Sequence, residues 1–147
     1  MPMELRSPAF APGGAIPAEF TCEGANVSPP LGWSGVPEGA VTLLLTCEDP
    51  DAPQGVFRHW AVYNIAPTLD GLARGEVVAA SAVNDFGKPG YGGPCPPRGH
   101  GLHRYVFRLA ALNGRIEATA SARCADIRNL ARPMEIASAE LIGTCGR

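Results

Sequence analysis

Short apolar runs separated by glycine and proline set the pattern of this chain. Val41–Asp49, VTLLLTCED, is β-branched, apolar and unbroken, as a strand buried on both faces requires. His59–Ile65, HWAVYNI, alternates Trp60, Val62 and Asn64 against Ala61, Tyr63 and Ile65. Both faces are mostly apolar, which predicts a second core strand. His103–Leu112, HRYVFRLAAL, sets Tyr105, Phe107 and Leu109 against Arg104, Val106 and Arg108, giving one buried face and one more polar face. MELRSPAF and EVVAASAV are weaker strand candidates. Toward the C-terminus the period changes. Ile127, Leu130 and Ala131 fall at helical spacing. Met134, Ala137, Leu141 and Ile142 predict a second short helix, with Pro133 at its first position and Gly143 as its stop. The expected fold is mainly β, an antiparallel β-sandwich with short C-terminal helices, forming one domain over residues 1–147.

Composition narrows the class. Fifteen prolines and eighteen glycines punctuate the runs as an all-β chain requires. With 46% hydrophobic and 18% charged residues the balance is that of a globular domain. The net charge is −2 and the basic residues are scattered, so no nucleic acid is expected as a partner. No stretch approaches about 18 consecutive apolar residues and MPMELRSPAF lacks an apolar leader core. The expectation is a cytoplasmic protein that does not insert into membranes. Five cysteines without a C-x-x-C pair suit a reducing compartment with buried or idle thiols. Cys95, between Pro94 and Pro96, is expected to be structural.

Three polar clusters are candidates for chemistry. EDPDAP (Glu48–Pro53) closes the first core strand, where a rigid scaffold gives way to a loop; the plain reading is a turn. FRHWAVYN opens the second strand with His59, and a lone histidine there also suits a satisfied core position. GGPCPPRGHGLHRY (Gly92–Tyr105) is the third. Its prolines stiffen the backbone, and its glycines permit positive φ and exposed amides that could cradle an anion. Carboxylate, imidazole, guanidinium, phenol and bare amides together suit a small anion, because a protonated imidazole makes charge-assisted bonds to phosphoryl oxygens. His59, His100, His103, Asp49 and Cys95 could also ligate zinc, but their spacing matches no zinc motif, so no metal and no cofactor are expected. GWSGV is not G-x-S-x-G, no phosphate-binding glycine fingerprint is present, and nothing singles out a catalytic nucleophile.

DPDAP, RHWAVYNI, NDFGKPGYGGPCPP, GLHRYVFRLAAL and AELIGT occur in this order, and the chain thereby resembles the phosphatidylethanolamine-binding proteins. The resemblance is strongest to their bacterial and archaeal branch, the Raf-kinase-inhibitor-like proteins. IPAEFTCEGANVSPPLGWSGVPEG extends it over nearly the whole chain. It implies a β-sandwich with a small pocket for phosphate-type anions, lined by Asp49, Pro53, His59, His103 and Tyr105, with backbone donors near Gly93. Asp51 is placed in a supporting position, and Arg104, on the opposite strand face, is expected to hold loops through carboxylates. A cis bond is implied at Ala52–Pro53. The implied role is regulatory, through inhibition or scaffolding of a partner protein such as a kinase, with a homodimer left open. The alternative is a hydrolase or metal-assisted enzyme using His59 and His103 as acid and base.

Overall fold

The computed structural model describes residues 2–147. Its strands and helix, in chain order, are β1 (Glu4–Arg6), β2 (Leu31–Ser34), β3 (Thr42–Asp49), β4 (Phe57–Ile65), β5 (Gly71–Leu72), β6 (Ala80–Ser81), β7 (His103–Leu112), α1 (Cys124–Ala131) and β8 (Glu135–Cys145). Two antiparallel sheets form, a small one in the order β1-β2-β5 and a large one in the order β6-β4-β3-β7-β8. The three strong apolar runs became the three central strands of the large sheet. β3 is apolar on both faces because both are covered. Leu43, Leu45 and Cys47 face the core shared with Trp33, Trp60, Phe107 and Leu141. Leu44 belongs to a second cluster with Ala61, Tyr63, Leu112 and Ile127, under α1.

Two patterns were broken by the fold. Asn64 does not follow Trp60 and Val62, and Ile65 joins their face instead. The register shifts between the Leu43–Ile65 and Leu45–Val62 pairs, which is a bulge, and Asn64 takes φ 59° there. Asparagine tolerates that backbone, and its side chain bonds both the N–H and the C=O of Ile116. The larger correction is the second C-terminal helix. Beyond a single turn of 3-10 helix at Arg132–Met134, the segment is β8, paired with β7 from His103–Cys145 to Leu112–Glu135. Its alanines favour helix, but without β8 the whole length of β7 would be an open edge, and the ladder decides. A period of two then emerges: Ala137, Ala139, Leu141 and Gly143 turn inward while Ser138 and Glu140 face outward. At Gly143 a Cβ would approach Ile16 Cγ1 to 2.6 Å.

The cysteines also depart from expectation. Cys95 is structural, but as half of a disulfide to Cys22 with Cα atoms 5.4 Å apart. The segments around them are laid side by side by Cys22 N–H donating to Pro94 O and Gly93 N–H donating to Asn26 Oδ1. They lie 73 residues apart in sequence, so no spacing rule reveals the pair. Cys47 and Cys124 are buried thiols and Cys145 is half-buried; burial raises all three above the ordinary thiol range, that of Cys124 to about 12. Denatured protein kept from reductant should therefore titrate as three thiols, and as five after reduction. Five without reductant would show that the purified chain does not carry the bridge.

Candidate functional site

The ends of the central strands converge at one edge of the large sheet. Asp49 ends β3, His59 lies early in β4, and His103 and Tyr105 open β7. All four are buried, with Asp49 and His59 each 3% exposed and His103 1%. They line a cavity of about 190 Å³, closed by Ala52 and Pro53 from the β3–β4 loop and by Cys95, Pro96 and Pro97 from the loop before β7. Phe57 and Phe86 complete the wall. Phe57 was legible in the sequence, since it lies two residues before His59 on one strand and so shares its face. Phe86 and the loop prolines come from segments whose approach depends on the fold.

Each polar group has a defined partner. Asp49 Oδ1 accepts the N–H of Asp51 at 2.8 Å, and Oδ2 accepts Nδ1–H of His103 at 2.7 Å. His59 Nδ1 lies 2.7 Å from the carbonyl of Gly92. A carbonyl only accepts, so Nδ1 carries the proton and Nε2 of a neutral ring presents a lone pair. Gly92 returns the contact, its own N–H donating to His59 O at 3.0 Å. Burial pushes the His59 imidazolium below its ordinary pKa, against the opposing pull of the Gly92 carbonyl and the Asp49 charge. Tyr105 is shifted up, first by burial and then by the charge of Asp49, so its hydroxyl keeps its proton at any ordinary pH. His59 sits edge-on to Tyr105 and Phe86, with centroids 5.3 and 5.4 Å away.

Two of the expected residues sit elsewhere. Asp51 is at the rim, not in the cavity wall. Arg104 holds its carboxylate through Nη2 at 2.8 Å and Nε at 3.0 Å, and this pairing draws Asp51 down to about 2. Arg104, pointing away from the cavity as strand alternation predicted, thus ties the β3–β4 loop to the start of β7 through a carboxylate. Gly93 does not line the cavity. Its amide is committed to Asn26, and that of Gly92 to His59, so these two amides are not free for a ligand. Glycine is needed at 93 because a Cβ would come within 2.3 Å of Phe20 O. The Ala52–Pro53 bond is also not cis; every described peptide bond is trans. The loop turns instead through the Asp49–Asp51 bond and Gly55 N–H to Ala52 O. Among the described residues no group of three or more His, Cys, Asp or Glu is arranged to hold a metal ion.

The loop carrying Cys95 is held from several sides: by the disulfide, by Tyr91 Oη donating to Phe20 O at 2.7 Å, and by Arg147 Nε donating to Pro96 O at 2.8 Å. The result is a preformed pocket at a strand edge of a β-sandwich, with a buried carboxylate–imidazole pair and a second imidazole beside it. The sequence comparisons narrow that class. The family model described as phosphatidylethanolamine-binding protein matches residues 6–146, and the chain belongs to that family. It is 42% identical to a UPF0098 protein of Methanothermobacter thermautotrophicus, over 96% of this chain and 97% of the relative. Two solved structures share the fold. One is a phosphatidylethanolamine-binding protein homologue of Chlamydia trachomatis, with TM-score 0.92 and 38% identity over 99% of this chain and 98% of that one. The other is YbcL of E. coli, with TM-score 0.94 and 32% identity over 100% and 99%.

Proposed function

We propose that the protein binds a small phosphoryl-type anion in the cavity between Asp49, His59, His103 and Tyr105, and that occupancy regulates a protein partner. The observation that carries this reading is the convergence of three buried polar side chains, two imidazoles and one carboxylate, on one preformed cavity. Nothing in packing alone requires buried polar groups at that density, and each is costly unless matched. The cavity wall contains no Lys or Arg, and Asp49 is its only carboxylate. The positive charge that an anion needs must therefore come from the imidazoles of the wall. The wall also lacks Ser and Thr, and its one cysteine is in the disulfide, so a nucleophilic hydrolase is the weaker reading.

No described helix is long and apolar enough to cross a membrane. The Cys22–Cys95 disulfide suits an oxidising compartment better than the cytoplasmic location expected from the sequence. Calorimetry with inorganic phosphate and with phosphoethanolamine tests the function. Saturable binding of either, without turnover of an aryl phosphate ester, is the expected result. Turnover that disappears in His59→Gln would establish the enzyme instead.

A further inference from the structure

His103 has two ring nitrogens, and both are in use. Nδ1 donates to Asp49 Oδ2, while Nε2 lies 2.5 Å from Nδ1 of His100. The two contacts differ in kind. Asp49 is buried and fixed at the end of a central strand. His100 is exposed, on the connection into β7, between Gly99 at φ 77° and Gly101 at φ 86°. A Cβ on either glycine would meet nothing within 4 Å, so the outer side of the loop at both positions faces open space. The ties near His100 are few: its N–H to Pro97 O at 3.2 Å, and Gly99 N–H to Arg147 O at 2.9 Å.

We propose that His100 is an internal competitor for the site: it occupies Nε2 of His103, and an anion binds by displacing it. This rests on the anion-binding reading above. The chemistry favours exchange. Across their contact the two imidazoles share one proton, one ring donating and the other accepting. A phosphoryl oxygen only accepts and carries charge, so Nε2–H of His103 donates to it in a charge-assisted bond, which is stronger than the bond to an uncharged ring that it replaces. An uncharged solute offers no such gain. His100 thereby holds the site closed to neutral molecules and gives way to anions, whether free phosphate or the head of a phosphomonoester.

The test is calorimetry of wild type and His100→Ala with inorganic phosphate and, separately, phosphoethanolamine. His100 is on the surface, so the variant should fold, and its melting temperature checks this. Removing a hydrogen bond that must break on binding should tighten affinity by roughly three- to tenfold. A gain for phosphate alone would identify the free ion as the displacing species, and a gain for both the shared phosphoryl group. Equal affinity would show that His100 does not compete, and weaker affinity that it is a ligand contact; either overturns the proposal while leaving the anion reading intact. Binding by neither protein removes both. Nitrogen NMR of the imidazoles supplies a ligand-free reading: Nε2 of His103 should shift in His100→Ala, and an unchanged resonance would show no contact to release.

Discussion

Asp49→Ala should destabilise the fold by about 1–3 kcal/mol and abolish measurable anion binding. The carboxylate accepts from two donors, Asp51 N–H and His103 Nδ1–H. The buried donor left without a partner, His103 Nδ1–H, costs about 1–3 kcal/mol, whereas Asp51 N–H at the part-exposed rim can turn to water. His103 cannot turn to water for a replacement, being almost completely buried. Asp49→Asn separates the two effects. Its side-chain oxygen still accepts one bond, so the stability loss should be smaller, about 1 kcal/mol. Its missing charge no longer backs the imidazole that donates to the anion, so affinity should still fall by about tenfold or more. Urea unfolding and calorimetry on both variants read the two quantities. A change in Asp49→Ala below about 0.5 kcal/mol, the range of an ordinary surface substitution, would mean that DPDAP is only a turn.

The role of Asp49 also shows where sequence reasoning succeeds and fails here. β3, β4 and β7 were legible because burial on one or both faces imposes a residue pattern that local inspection can see. Asp49, His59, His103 and Tyr105 stood out as polar residues at strand ends, but it was the resemblance to a known family that placed them in one pocket. The Ala52–Pro53 bond was a local misreading, but most of the others involve contacts between distant segments. β8 looked helical because Ala137 and Leu141, four residues apart, satisfy either period, and only pairing with β7 chooses between them. Gly93 looked like a ligand cradle, yet its amide faces Asn26, 67 residues earlier. Cys22 and Cys95 meet for the same reason. A glycine in such a loop signals close approach of something, and the sequence does not say whether that is a ligand or the chain itself.

The same limit applies to charge, and it leads to a measurable consequence. A histidine pair beside a carboxylate suggests imidazolium ready for an anion, but the structure makes His59 a neutral ring when the site is empty. Burial lowers its pKa from the ordinary value of 6.5. The sign for the fold follows. As pH falls below about 6.5 the unfolded ring gains a proton that the folded ring refuses, so stability is complete above that value and is lost on acidification toward the depressed pKa. The sign for binding is the reverse. An anion at Nε2 gives the protonated ring a partner and raises its pKa, so at neutral pH binding should draw in close to one proton per anion through His59. Affinity should then weaken by up to tenfold for each pH unit above neutrality. Phosphate monoesters lose their second proton near pH 6, which blurs the count, so sulfate is the cleaner probe because it has no titrating proton in this range. Calorimetry of sulfate binding in buffers of different ionisation enthalpy measures the uptake directly. Wild type should take up close to one proton. His59→Gln, which keeps a donor but cannot be charged, should take up markedly less and bind with little dependence on pH. Sulfate binding with no proton uptake in wild type would take His59 out of the site and leave the anion with no cationic partner at that wall.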